Sequence, residues 1–335
     1  MIIRNEMAAN PYCKYCKSKA IVKYGKYKNL QLYWCKVCKR KFKGDDALFH
    51  MKVPPSYISS ALSMYYAGMS FNDIRNHLNQ EHGYYPSKSV VYQWVDKYTD
   101  MAVNHFRNYK PKLGSVWICD ETMLDLDGNH KIWFWDVIDS ETRFLIASRV
   151  SVSRTTNDAQ LLMEKAYKVA GKAPKVVITD KLKAYLDGIE LTFGSDAEHR
   201  QGRPFTIPED STNLIERWHG ILKDRTKVMR AFKDIDTLIQ FTDGFLVYYN
   251  YFKPHMHLDG KTPAEVACID YDVKNWLDVS RIPISKEVEI FSHSLPRFKA
   301  SKTDLKDKKL YNRKRKRKIK TETKLNPSLG IARLR

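Results

Sequence analysis

Three carboxylates spaced widely along the chain have the types and settings for metal-assisted chemistry: Asp120, Asp180 and Glu216. Asp120 follows the apolar run Ser115–Cys119, and Asp180 follows Lys175–Thr179. Both runs are short, β-branched and preceded by Gly114 or Pro174, as buried strands are. A carboxylate at a strand's carboxyl end sits on the rim of a sheet, where open α/β folds place their ligands. Glu216 lies in Asn213–Lys223, whose Leu214, Ile215, Trp218, Ile221 and Leu222 are spaced for an amphipathic helix. Ser211, Thr212 or Asn213 caps that helix, and Lys223, two turns past Glu216, lies on the same side. Three converging acids repel one another unless cations bridge them. Two divalent metals in such a nest clamp the entering and leaving oxygens of a phosphoryl transfer. Taken singly, each acid reads more simply as a solvated surface group, so the chemistry rests on their joint context.

A second constellation is sulfur-based. Cys13-Lys-Tyr-Cys16 and Cys35-Lys-Val-Cys38 are separated by 18 residues, the four-cysteine zinc spacing. Each pair bends the chain into a knuckle that offers two thiolates to one tetrahedral Zn²⁺. Ile21-Val22 and Leu30–Trp34 read as strands of a zinc ribbon, with Trp34 and Phe42 as its small core. A unit of this size depends on its ion for stability. Disulfides are disfavoured inside a cell, and a redox CxxC does not come as a matched pair. Lys14, Lys17, Lys36, Lys39 and Lys41 crowd the knuckles and point to DNA, with a protein contact as the alternative. Cys119 and Cys268 are single and read as small buried hydrophobes.

The charge distribution agrees with a polyanionic partner. The net charge is +20, but residues 1–50 hold 12 Lys/Arg against 3 Asp/Glu, and residues 297–335 hold 16 against 3. The remaining 30 against 32 leave a slightly acidic middle, which suits a metal site between two basic ends. No apolar run reaches the roughly 18–20 residues that span a bilayer, no secretory h-region opens the chain, and no basic amphipathic helix favours a membrane surface. The expected location is the cytoplasm, at the nucleoid.

The elements that must position these groups divide the 335 residues into four expected units: 1–50, 54–100, 113–270 and 271–335. After Pro54-Pro55, a helix over Tyr57–Ala67, a turn at Gly68-Met69, a helix from Ser70 to about Leu78 and one from Ser87 to about Tyr98 fit a helix-turn-helix module. Its third helix would present Lys88, Tyr92, Gln93 and Lys97 to a DNA groove; a plain helical connector is the competing reading. Tyr109–Gly114 is a linker. The first Asp strand then leads through a hairpin at Asp127-Gly128 to Ile132–Asp139 and through Ser140–Thr142 to Phe144–Val150. A helix over Thr156–Val169 follows, then the Asp180 strand, so three antiparallel strands precede a crossover helix. Between Leu186 and Thr212 periodicity is lost, and Gly194, Gly202, Pro204 and Pro208 read as a mobile flap. Thr237–Tyr251 is an aromatic core helix, and Thr262 caps a short helix begun by Pro263. Glu121, Asp136 and Asp139 are decoys; Glu121 follows Asp120 on a strand, so it is expected on the opposite face. Arg313, Lys314 and Arg315 open an unbroken basic hexad, expected to be disordered when free and a DNA-binding arm when bound.

Five segments, in order, resemble the DDE transposases of bacterial and archaeal insertion sequences, of the insertion-sequence family six type. They are Ser89–Tyr98 (SVVYQWVDKY), Trp117–Thr122 (WICDET), Val177–Tyr185 (VITDKLKAY), Asn213–Arg225 (NLIERWHGILKDR) and Tyr251–Ala267 (YFKPHMHLDGKTPAEVA). The resemblance implies an α/β, RNase H-like core of retroviral-integrase type in which Asp120, Asp180 and Glu216 hold two Mg²⁺ or Mn²⁺ ions. It implies that Lys223 contacts DNA, with His219 a phosphate or structural contact rather than a base. The family's usual Arg after the helix histidine is here Gly220, so that role passes to Arg217 or Arg225. The implied activity is 3′-end cleavage and strand transfer on the terminal inverted repeats and target DNA, by a homodimer or larger assembly. An RNase H-type nuclease or domesticated recombinase, and a non-catalytic DNA-binding regulator, are the alternatives.

Overall fold

The structure, a computed structural model, describes residues 12–16, 18–27, 30–44, 53–127, 130–202, 211–229 and 231–282. The basic hexad with Arg313, Lys314 and Arg315, and also Lys17, Gly128, Pro204 and Pro208, lie outside them.

The first element is a three-stranded antiparallel sheet of β1 (Ile21–Tyr27), β2 (Leu30–Cys35) and β3 (Lys41–Lys43). Tyr33 and Phe42 face each other across β2 and β3 with their rings stacked at 5.6 Å, and they close a small core with Cys13 and Cys35. Alternation along β2 puts Tyr33 and Cys35 on one face and Trp34 on the other. The expected core residue Trp34 is therefore corrected to Tyr33; Trp34 lies 6.0 Å from the Tyr24 ring on the outer face.

Three helices follow. Pro55 fixes the first turn of α1 (Pro55–Ala67), and Gly68 ends it at φ 117°, a left-handed conformation that only glycine adopts cheaply. Ser70 and Ser87 accept backbone N–H bonds at the starts of α2 (Phe71–His82) and α3 (Lys88–Phe106). The third helix runs on past Tyr98 because Ala102 and Phe106 keep its buried stripe going. Ile58, Leu62, Ile74, Leu78, Val91 and Trp94 join the same continuous hydrophobic cluster as the large sheet.

That sheet carries the three acids' elements. Its strands are β4 (Val116–Leu126), β5 (His130–Asp139), β6 (Leu145–Ser151), β7 (Val176–Thr179) and β8 (Glu198–Gln201), in the order β6-β5-β4-β7-β8. The first three form an antiparallel meander, while β7 and β8 add in parallel. Helix α4 (Thr156–Ala170) crosses from β6 to β7, and α5 (Lys183–Phe193) from β7 to β8. A mixed five-stranded sheet in this order is the RNase H-like fold. Helix α6 (Asn213–Lys227) packs on β4; α7 (Ile235–Val247) packs on α3 and β6 and widens into a π turn over Tyr248–Phe252. Thr262 caps α8 (Pro263–Val266) reciprocally with Glu265, and α9 (Trp276–Arg281) lies on α1.

Two expectations change. Asp120 is not at a strand end, because β5 pairs with β4 well past it, to Leu126. The segment read as a flap contains α5 and β8. Ala184, Tyr185, Ile189 and Phe193 bury one face of α5, and Gly188 lets α4 approach so closely that a Cβ there would meet Ala159. Gly194, read as a breaker, ends α5 at φ 54°. Among the described residues no helix is long and apolar enough to cross a membrane.

Candidate functional site

Pairing between β4 and β7 stops at Ile118 and Ile178, so β4 overhangs the end of β7 and leaves an open edge beside Asp180. Into that edge project the carboxylates of Asp120, Glu121 and Asp180, with one oxygen from each within 4.8 Å of the others. The expectation that Glu121 points away from Asp120 is therefore corrected. With no neighbouring strand on that side, a glutamate can turn around the edge. Its side chain is 1% exposed, and the buried Tyr185 hydroxyl is its neighbour. Burial, then the nearby Asp180 charge, pushes the Glu121 carboxyl up to about 7.

Asp180 begins the loop into α5 and accepts the Leu182 N–H on Oδ1 at 2.8 Å. Arg154 bonds Glu121 through Nη2, which lies 3.6 Å from Asp180 Oδ2; its guanidinium rests 4.7 Å from the Trp133 ring centre. No motif or periodicity marks Arg154, which lies in the loop between β6 and α4. That loop is fixed because Asp158 accepts from the Ser153 and Thr155 hydroxyls and the Thr155 N–H.

Glu216 stands outside this trio. It is exposed on the first turn of α6 and accepts a bond from the Thr212 hydroxyl at 2.9 Å. One turn later, His219 is buried between two aspartates, with Nδ1 3.3 Å from Asp120 Oδ2 and Nε2 2.9 Å from Asp136 Oδ1. Burial opposes its charge, but Asp136 and Asp120 overcome that and raise the imidazole to about 10. Trp218 Nε1 donates to the other oxygen of Asp136. Of the two roles expected for His219, phosphate or structural contact, the structure supplies the structural one: it is 5% exposed and ties α6 to the sheet. Asp136, read as a decoy, anchors that tie. Asp139 is structural, its carboxylate taking the Gly114 and Thr142 N–H groups and the Thr142 hydroxyl.

The remaining basic residues divide by burial. Arg217 and Lys223 are exposed on α6, and Lys88 and Gln93 on α3; Lys97 is half-buried over the Tyr98 ring. Arg225, expected at the DNA, packs inside the protein here. It is 5% exposed, its guanidinium lying 4.5 Å from the Tyr65 ring centre and 5.6 Å from that of Phe241. Gly220 faces open space, with nothing within 4 Å of the place a Cβ would occupy.

At the other site the Sγ atoms of Cys13, Cys16, Cys35 and Cys38 all lie within 4.8 Å of one another. The contacts Cys13–Cys38 and Cys16–Cys35 are 3.5 Å, near the edge of roughly 3.8 Å that tetrahedral zinc–thiolate bonds require. Tyr15 and Cys38 N–H groups point at Cys13 and Cys35 sulfurs. The donor set fits Zn²⁺. The oxygen-only trio fits a hard divalent cation. Cys268, expected buried, is exposed at φ 54°; Cys119 is buried.

Residues 114–255 match the family model of the DDE domain of insertion-sequence transposases. An uncharacterized protein of Methanocaldococcus jannaschii is 25% identical over 195 residues, 57% of this chain and 83% of that one. The magnesium-bound integrase catalytic core of HTLV-2 is 17% identical at a TM-score of 0.36, covering 47% of this chain and 97% of that one. The simian T-cell lymphotropic virus intasome chain is 14% identical at a TM-score of 0.38, covering 62% and 74%.

Proposed function

We propose that this chain cuts and joins the ends of a mobile DNA element, a reading supported by the match of residues 114–255 to the DDE domain of insertion-sequence transposases. The observation that carries the reading is the convergence of Asp120 and Asp180 at the open edge between β4 and β7, inside the matched domain. Asp120, Asp180 and Glu216 are assigned to two Mg²⁺ or Mn²⁺ ions. Bound there, such ions lower the pKa of water and stabilise charge on the oxygens of an in-line displacement.

The chain's own residues supply the rest. His219, held by Asp136, orients the Asp120 carboxylate and keeps the Glu216 turn of α6 against the sheet. Water adds to the phosphorus at the element's end as the P–O3′ bond breaks, leaving a 3′-OH. That hydroxyl then attacks a target phosphodiester, a new P–O3′ bond forming as the target's own breaks. Lys223 and Arg217 line the exposed face of α6 and hold backbone phosphates. The four-cysteine ribbon, as a zinc unit, and α1–α3, as a helix-turn-helix presenting Lys88, Gln93 and Lys97, hold the terminal repeat. Two ends must be cut together, so the working form is a dimer or larger assembly on DNA.

The test is a strand-transfer assay on DNA carrying the element's ends, with Mn²⁺, for wild type, Asp180→Asn and Glu216→Gln. Joined products that vanish in both variants are expected. Cleavage without joining would make the chain a nuclease, and tight binding without cleavage a DNA-binding regulator.

A further inference from the structure

The acid trio already contains a positive charge, and its placement is unlike that of the chain's other buried arginine pair. Arg149 and Asp158 are 3.3 Å apart with side chains 7% and 2% exposed, a buried pair. Arg154 is different. Its side chain is 35% exposed, its Nη2 bonds the buried Glu121 and lies 3.6 Å from Asp180, and its guanidinium also rests on Trp133. The backbone beneath it is fixed by the Thr155–Asp158 cap of α4, so the side chain can leave while its base stays.

We propose that Arg154 is a built-in counter-cation: it keeps Glu121 and Asp180 converged in the metal-free protein and gives way when a divalent ion binds. The inference rests on the reading that Asp120 and Asp180 hold that ion. Without a cation the three carboxylates repel, and the trio would spread. With a guanidinium bonded to Glu121 and 3.6 Å from Asp180, two of them stay gathered. A divalent ion bonds carboxylate oxygens at about 2.1 Å, much closer than Arg154 Nη2 stands from Asp180, so the two cations compete for one place. The Arg154 side chain is 35% exposed, so the displaced guanidinium can swing into solvent. Arg154 is a positioning residue in this account. It sets how ready the acids are and how strongly they hold the metal.

The experiment uses the full-length, zinc-loaded chain without DNA, dialysed free of Mn²⁺ and then titrated with Mn²⁺ by calorimetry, for wild type, Arg154→Gln and Asp180→Asn. Removing a competing charge should tighten Mn²⁺ binding by about fivefold or more in Arg154→Gln. The same variant should melt lower than wild type without Mn²⁺ and recover most of that loss with it. A purely structural arginine would lower both melting points equally and leave the affinity unchanged or weaker; that result overturns the inference while leaving the metal site intact. If neither wild type nor Arg154→Gln binds Mn²⁺, the metal reading falls and the inference with it. Loss of binding in Asp180→Asn ties the measured heat to this site. Should Arg154→Gln not fold, crystals of wild type with and without Mn²⁺ decide: Arg154 still bonded to Glu121 and beside Asp180 in the Mn²⁺ form overturns the proposal.

Discussion

Asp136 sits directly opposite Asp120 in the register of β4 and β5, and both carboxylates reach the same imidazole, that of His219. Two acids facing each other across a sheet are ordinarily unfavourable. Here the opposition is what fixes the position of α6, because a raised histidine between them satisfies both. Asp136 is fully buried and accepts from Trp218 and His219 on its two oxygens. Asp136→Ala leaves both donors unpaired and should cost about 3 kcal/mol of stability. Asp136→Asn should cost less, yet reduce strand transfer more than it lowers the melting point, since the Glu216 turn would lose its tether. Parallel denaturant melts and strand-transfer rates check this; equal falls in both would make the network merely structural.

The strands that carry Asp120 and Asp180 are legible in the sequence as short β-branched runs, although Asp120 lies inside β4 rather than at its end. The helix of Glu216 is legible too, through its apolar spacing. Other parts of the site are hidden for physical reasons. Asp136 lies on a strand buried on both faces, so its charge looks like a surface position until His219 arrives from a helix 83 residues away. Arg154 sits in a loop without periodicity, and only folding brings it to Glu121, 33 residues earlier. Strand β8 is four polar residues, Glu198–Gln201, whose pairing with β7 comes from backbone bonds and leaves no hydrophobic signature. The edge that lets Glu121 join Asp120 depends on β7 being shorter than β4, a tertiary fact that strand alternation cannot convey.

The ribbon and the main fold have separate hydrophobic clusters, so their stabilities should separate too. Cys13→Ser or Cys35→Ser should abolish one equivalent of bound zinc and unfold the three-stranded sheet. The main thermal transition should move by less than a few degrees. Metal analysis and calorimetry of the variants check this. A collapse of the main transition would show that the ribbon supports the main fold.

Gly220 offers a stabilising substitution. It lies within α6 with open space where a side chain would extend, so Ala should cost no clash and lower the entropy lost on folding. Gly220→Ala should stabilise the chain by about 0.5–1 kcal/mol, read as a higher denaturant midpoint with unchanged slope.

His255 sets an acid limit. Burial, helped by Lys253 and Arg143, lowers its imidazole to about 4, and its ring meets the Tyr249 ring edge-on at 4.4 Å. The folded state thus binds its proton more weakly than the unfolded chain does. Stability is therefore full above about pH 6.5 and falls as pH drops toward 4. The loss is on the order of 3 kcal/mol. His255→Gln should flatten the melting-point profile between those values relative to wild type, whatever it does to stability at pH 8.

Arg225 and Lys223, two residues apart on one helix, should separate stability from DNA affinity. Arg225 is buried against Tyr65 and Phe241, so Arg225→Ala removes packing from the junction of α1, α6 and α7. It should cost about 2 kcal/mol or more, the size of a core truncation. Lys223 is exposed, so Lys223→Ala should leave stability within about 0.5 kcal/mol of wild type. Its effect should appear in DNA binding instead, as weaker affinity across sequences and a salt dependence reduced by about one phosphate contact. Titrations with end-containing and unrelated duplexes at several salt concentrations check both variants. An unchanged salt slope for Lys223→Ala would remove it from the DNA face, while Arg225→Ala with normal stability and weakened binding would mean that α6 turns Arg225 outward when DNA is bound.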